Sequence, residues 1–250
     1  MSDGMMLRAP ISSVPVFRPA GRAGVAGHCT VSEVISDPDA GIVAVRIEEV
    51  LTAEAARAVH DYVVNDIVYE RDEIGQEKRA FRGARTGELP TDPFLHTGTG
   101  TPGALAQDGF ALFTSSWFVT QLSEWLALPL TVLRPTTPYR MDPGDFIHPH
   151  DDVASPEYLL SIAYNLALAW QGGDGGETVV GKVGTVQEYE HPDYFFPLKR
   201  WSFDPSGIST LKPVYNSALA LVLRPDRAHA VNKVVRNSRY SMTTLYGDLS

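Results

Sequence analysis

The chain has 250 residues, 44% hydrophobic and 20% charged, with a formal net charge of -9, an ordinary globular composition long enough to bury one substantial core. The acidic surplus works against non-specific affinity for nucleic acid or an anionic membrane surface, both polyanions, and a small-molecule substrate fits better. A lone cysteine, Cys29, excludes an internal disulfide, a multi-cysteine zinc site and a cysteine-ligated iron–sulfur cluster.

No apolar run reaches the 18 residues of a membrane span, and Asp3 and nearby prolines interrupt the place where a signal peptide needs an apolar core. A reducing cytoplasm is the expected home. Residues 1–40 mix Gly, Pro, Ser and short apolar pieces without a sustained period and read as an extended, peripheral segment. Residues 41–128 follow as a strand with supporting helices. GIVAVRIEEVL, from Gly41, reads as the strand, and Thr52 caps a helix through TAEAARAVHDYVVNDIV. Residues 71–101 are polar, hold Arg71, Lys78, Arg79, Arg82 and Arg85, and read as a long loop. A second helix is expected over about 101–126, where SSWFVTQLSEWLAL gives an amphipathic stripe.

Residues 129–250 are strand-rich and form the expected catalytic core. Between Leu159 and Trp170 the alternation is nearly unbroken: Leu160, Ile162, Tyr164, Leu166, Leu168 and Trp170 share one face of a strand buried on both sides. GGDGG at 172–176 is a turn, TVVGKV a returning strand and NSALALVL (216–223) another buried strand. RAHAVNKV and RYSMTTLY read as a closing hairpin around Arg236, Asn237 and Ser238. Many short antiparallel strands imply a mainly β, α+β chain with a jelly-roll or barrel core, in one structural domain overall.

The chemistry concentrates in this core. His150-Asp151-Asp152 is an H-x-D stretch; two residues apart on a strand share a face about 6.6 Å apart, so an imidazole and a carboxylate can meet at one ion. His229, just beyond the strand ending at Leu223, is the third candidate. Two histidines and a carboxylate without a thiolate are a facial-triad composition that leaves iron positions open. His148 shares parity with His150 and is a ligand or a hydrogen bonder behind one; His28, His60, His96 and His191 lack a partner at useful spacing. H-x-D alone is weak. Its force comes from Arg239, ten residues after His229 and followed by Tyr240 and Ser241, since a guanidinium fork beside a hydroxyl suits the free carboxylate of a bound dicarboxylate. Gly176 to Lys182 imitates a phosphate-binding loop, but Val183 stands where Ser or Thr would hold magnesium.

These residues, in this order, resemble the 2-oxoglutarate and iron(II)-dependent oxygenases, most closely the prolyl-hydroxylase-like branch. The similarity runs over about residues 137–247 through Tyr139 and Gly144, His150 and Asp152, Tyr164, the turn Gly175 to Thr178, and His229 with Arg239. It implies a double-stranded β-helix core on N-terminal helices, with iron(II) on His150, Asp152 and His229. It further implies 2-oxoglutarate held by Arg239, Ser241, Tyr164 and Tyr139, O2 as oxidant, and release of succinate and CO2. Tyr164 has a plainer reading as a core tyrosine with a satisfied hydroxyl. Two departures are a long insertion, about Gln187 to Pro213, and Tyr246 where many relatives carry tryptophan.

The expected reaction is hydroxylation of an unactivated C–H bond in a small metabolite, such as a free amino acid or a natural-product intermediate. The alternatives are a peptidyl or carrier-bound substrate, a cupin-like metal enzyme without 2-oxoglutarate, or a metal-free binding barrel. His148, Thr178 and Trp201 are expected near the iron or the substrate. The aromatics of the insertion, beside Glu188, Glu190 and Asp193, suit a lid over an amphipathic or cationic ligand, or a solvated loop packed on the barrel.

Overall fold

The computed structural model describes residues 7–8, 29–39, 41–84, 102–153 and 156–249. In chain order the elements are β1 (Leu7–Arg8), β2 (Thr30–Asp37), β3 (Gly41–Glu48), α1 (Ala53–Asn65), β4 (Val68–Ile74), β5 (Lys78–Ala84), α2 (Pro102–Leu112) and α3 (Ser116–Leu126). They continue with β6 (Thr131–Met141), β7 (Phe146–His150), β8 (Tyr158–Asn165), β9 (Thr178–Tyr189), β10 (Leu198–Leu211), β11 (Ser217–Val222), β12 (Arg227–Val231) and β13 (Arg239–Gly247). No helix of the described residues is long and apolar enough to cross a membrane.

The strands make a continuous sheet in the order β1-β2-β3-β11-β8-β13-β6-β5-β7-β12-β9-β10, with β4 on β5. β5 joins its two halves, pairing Arg82 with Tyr139 of β6 and Lys78 with Ile147 of β7. The sheet is barrel-like, with the architecture of a double-stranded β-helix. In the first half, register assigns the faces. Ser241 of β13 lies opposite both Tyr139 and Asn165, whereas its neighbour Met242 lies opposite Pro138 and Tyr164. The Ser241 face lines the interior; the Met242 face receives the helices.

α1 begins where Thr52 Oγ1 accepts from Ala55 N at 3.2 Å, and α3 where Ser115 Oγ accepts from Phe118 N at 3.2 Å. Their apolar stripes, with Ala55, Val59 and Val63 from α1 and Phe118 and Leu122 from α3, pack on Leu160, Ile162, Tyr164, Met242 and Tyr246. At the far side of the sheet, buried Asp37 on β2 takes ion pairs from Arg227 (2.8 Å) and Lys182 (3.1 Å), tying β2 to β12 and β9.

Several elements differ from the sequence reading. The strand expected from Leu159 to Trp170 stops at Asn165; Leu166 is buried, but Leu168 and Trp170 lie in the following turn and Leu168 is exposed. The single helix expected over 101–126 is two, because Ser115 spends its side chain capping a new start. The long loop expected from residue 71 is a hairpin, β4–β5, up to Ala84; its remainder lies outside the described residues. Thr30–Asp37 is a full strand paired with β3, not peripheral chain, while most of residues 1–28 lies outside the described residues. β12 and β13 do not form a hairpin: β12 pairs with β7 and β9, and β13 with β6 and β8, so the 232–238 connection crosses between the halves. The 187–213 insertion is a long β9–β10 ribbon.

Asn216, in the left-handed region at φ 55°, pins the first half to the helices. Its Oδ1 accepts from Leu51 N (3.0 Å) and from the Tyr164 hydroxyl (2.8 Å), and its Nδ2 donates to Leu51 O (2.8 Å). Asn216→Ala removes all three bonds and leaves buried partners unsatisfied, so the unfolding free energy is expected to fall by about 3 kcal/mol. Tyr164→Phe, losing one bond, is expected to cost about 1 kcal/mol. Urea unfolding with unchanged slope measures both, and equal losses would show that Asn216 does not act as this pin.

Candidate active site

Two neighbouring strands bring the histidines together. His150 on β7 is in direct register with His229 on β12, and their rings lie 4.2 Å apart at 52°. Asp152 is not on the strand, which ends at His150. It takes a left-handed conformation at φ 54°, tolerable for aspartate, and this turns its carboxylate back between the rings. Oδ1 lies 3.3 Å from His150 Nε2 and Oδ2 3.2 Å from His229 Nε2. One ligand atom from each of the three residues falls within 4.8 Å of the others. The juxtaposition expected from sequence is present, but it arises from a turn rather than from strand parity.

The donor set fits a divalent transition metal. His150 Nδ1 donates to the His148 carbonyl at 2.9 Å; a carbonyl only accepts, so the neutral ring keeps its lone pair on Nε2, facing the other two side chains. His148 thus contributes its main chain. Its ring is exposed against Phe146, 4.7 Å away.

Without a metal, burial alone would push the Asp152 carboxyl up, but the charges and hydrogen bonds of His150 and His229 hold it well below the usual carboxylate range. Burial would lower His150, yet Asp152 raises it above its ordinary value. Burial and repulsion from His150 depress His229. Of the three, His150 holds a proton most strongly, and a metal bound to the trio would compete with it.

Arg239 enters the interior at the start of β13. It is 5% exposed, and burial pushes its guanidinium down to about 10, only partly offset by Glu177. Nη2 donates to Asn165 Oδ1 at 3.1 Å, Nη1 lies 3.7 Å from Met141 Sδ, and Nε has no hydrogen-bond partner among the described residues. Among the described residues no carboxylate pairs with it. Its stem fits because Gly176, at φ 75°, has no side chain; a Cβ there would stand 3.0 Å from Arg239 Cδ. Gly175 is equally constrained, since a Cβ would meet Lys233 O at 2.1 Å. Asp174 fastens this turn to the segment before β13, its main-chain oxygen accepting from Val235 N and Arg236 N, its Oδ2 from Asn237 Nδ2. Arg236, three residues earlier, has a side chain 63% exposed and pairs with Asp174 instead.

The remaining candidates separate. Ser241 is buried on the interior face, opposite Tyr139 and Asn165. Tyr139 lies under Lys78, whose Nζ is 4.8 Å from the ring; burial, with Asp72 and Asp152, raises its phenol. Thr178 is buried at the start of β9, two residues from Val180, the partner of His229. Tyr164 does not join them. It is on the helix-facing side, fully buried against Phe113, with its hydroxyl spent on Asn216. Trp201 is also displaced, paired with Val186, six residues along β9 from Val180, or about 20 Å. Asn165, which touches Arg239, was missed; the parity of the β8 alternation was its only signal.

Residues 136–247 match the family profile described as the 2OG-Fe(II) oxygenase superfamily. Among solved structures, the fold is similar to a prolyl-4-hydroxylase from Pseudomonas putida (TM-score 0.56, 13% identity, covering 82% of this chain and 92% of that one). It is also similar to a prolyl hydroxylase from Trichoplax adhaerens in complex with a hypoxia inducible factor peptide fragment (TM-score 0.54, 14% identity, covering 82% and 83%). No curated protein matches the chain. The matched stretch, which holds His150, Asp152, His229 and Arg239, is thus similar to the 2OG-Fe(II) oxygenase superfamily, whose enzymes use iron(II), 2-oxoglutarate and O2.

Proposed function

We propose that this chain hydroxylates an unactivated C–H bond of a small metabolite, coupled to conversion of 2-oxoglutarate and O2 to succinate and CO2. One observation carries the reading: three converging ligand atoms share an interior with a buried guanidinium that has no carboxylate partner among the described residues. A buried cation without a counter-ion is costly, and a bound anion offsets that cost.

On this reading His150, Asp152 and His229 hold iron(II), which when bound supplies the redox chemistry that splits O2 between succinate and product. His148 O keeps the His150 ring in the tautomer that presents Nε2. Arg239 holds the distal carboxylate of 2-oxoglutarate, with Ser241 beside it and the neutral phenol of Tyr139 opposite Ser241.

The preference for a small substrate rests on the walls around the site. The tip of the β4–β5 hairpin is held against the β9–β10 ribbon where Glu77 Oε1 accepts from Tyr189 (3.0 Å) and Arg200 (2.9 Å), and where Tyr194 donates to Glu73 O (3.0 Å). Glu77 O also accepts from His148 N beside the first ligand (2.7 Å). A peptidyl substrate is the second reading, favoured by the likeness in fold to the prolyl hydroxylases. The test is aerobic incubation with iron(II) and 2-oxoglutarate against free amino acids, their derivatives and proline-containing peptides, scored by succinate and by gain of one oxygen in the product. Turnover that ignores 2-oxoglutarate would remove the reading.

His150→Ala, Asp152→Ala and His229→Ala are each expected to reduce succinate formation to background while the far-ultraviolet circular dichroism stays near that of the parent, because an open catalytic site contributes little to folding. His148→Ala is expected to keep its metal, since only its main chain touches His150. Metal loss from His148→Ala, with retention by His150→Ala, would reverse the ligand assignment.

Metal uptake must expel the proton on His150, whose value Asp152 raises. Affinity for Mn(II) is therefore expected to be level above that raised value and to fall as pH drops through it, by up to about tenfold per pH unit for one proton. Titrations at a series of pH values check the sign; affinity that rises on acidification contradicts it.

Arg239→Met is expected to weaken 2-oxoglutarate binding by about 1.5–3 kcal/mol, the worth of a charge-assisted contact. The ligand-free protein is expected to be no less stable to urea, since an uncompensated buried charge has been removed. A large loss of ligand-free stability would mean that Arg239 is paired within the fold.

A further inference from the structure

Asn165 closes β8 on the interior face, 2% exposed, directly across from Ser241 on β13 and Ser217 on β11. Its Oδ1 is the only oxygen among the described residues that accepts a hydrogen bond from the Arg239 guanidinium, at 3.1 Å. Its Nδ2 donates to Ala163 O at 3.4 Å, a long bond that uses one of the two amide hydrogens. The second amide hydrogen has no partner among the described residues. Arg239 Nε is likewise buried without one.

A neutral amide and a guanidinium, each with an uncommitted N–H and joined through Oδ1, form a two-part donor set. We propose that Asn165 is a co-substrate-binding residue, the neutral half of a carboxylate clamp in which its Oδ1 orients Arg239 and its Nδ2 donates to the carboxylate that Arg239 neutralises. The proposal rests on the reading that Arg239 binds the distal carboxylate of 2-oxoglutarate. It explains why this position carries an amide and not an acid. A carboxylate 3.1 Å from Nη2 would pair with Arg239 internally and occupy the ligand's place, whereas the amide orients the fork and leaves its charge for the ligand.

The isosteric change Asn165→Asp separates this role from a structural one, because the two predict opposite signs. The protein is loaded with Mn(II) without oxygen and titrated with 2-oxoglutarate by calorimetry, and thermal midpoints are recorded with and without the ligand. For the clamp, Asn165→Asp is expected to raise the ligand-free midpoint through the new ion pair, to weaken 2-oxoglutarate at least about tenfold, and to leave Mn(II) affinity unchanged. Asn165→Ala is expected to weaken 2-oxoglutarate as well, with a lower ligand-free midpoint; Asn165→Ser replaces it should the alanine variant not fold. Asn165→Asp that melts lower than the parent yet binds 2-oxoglutarate equally would overturn the proposal and leave Asn165 a packing residue. Arg239→Met measured in parallel keeps the two levels apart. If that variant also binds 2-oxoglutarate like the parent, the Arg239 reading fails; if Arg239→Met loses binding while both Asn165 variants keep it, only the clamp fails.

Discussion

A positive charge buried without a counter-ion among the described residues is the constraint around which this interior is arranged. Arg239 lies at the seam where the chain crosses from β12 in one half of the sheet to β13 in the other, and the surroundings are built to admit it rather than to neutralise it. Gly176 gives way to its stem, Gly175 allows the turn to pass the Lys233 carbonyl, and Asp174 fastens that turn to the segment leading into β13. Met141 and Asn165 then take the guanidinium with a sulfur and an amide oxygen, both uncharged. Such a site is expensive when empty. The protein tolerates that expense because the surrounding turns over-determine the position of the side chain.

The triad obeys the opposite rule. There, charge is compensated internally: Asp152 sits between two imidazoles, and its charge raises the proton affinity of His150. The two centres therefore differ in how they respond to a ligand. The triad would exchange a proton for a metal, so its occupation is tied to pH, whereas Arg239 has, among the described residues, no carboxylate to displace. An anion and a divalent metal brought into the same interior satisfy both, which is the requirement that a chelating oxo-acid with a free carboxylate meets.

What was legible in the sequence follows the range of the interactions involved. The Thr52 cap, the β9 and β11 strands and the His150-x-Asp152 spacing are local, and their residue types point to them directly. The hairpin expected from β12 and β13 fails because turn residues at 236–238 suggest reversal onto a neighbour, while pairing is decided by β7, β9, β6 and β8, all distant in sequence. Tyr164 fails by one residue. In a strand apolar on both faces, alternation does not say which face is interior, and a shift of one exchanges Tyr164 for Asn165 beside Arg239. The metal-site geometry was anticipated for a reason that does not hold, since Asp152 reaches His150 through a left-handed turn and not along a strand.

The charged stretches taken for loops show a further limit of the hydrophobic period. β4 and β5 carry almost no apolar alternation; charge links them across the hairpin, Lys78 with Asp72 at 2.8 Å, Arg79 with Glu73 at 3.5 Å and Arg71 over the Phe81 ring, and ties them to their neighbours through Arg71 with buried Asp145 at 2.9 Å and Arg140 over the same ring. Exposed pairs of this kind contribute little one at a time. Here they converge on an aromatic face and a buried carboxylate, and that shared context lets a polar segment hold a strand. The same device closes the contact with the β9–β10 ribbon, where Glu77 gathers Tyr189 and Arg200 while its main chain holds His148 in place beside His150. The wall of the site and the alignment of its first histidine thus depend on one residue that no apolar pattern marks.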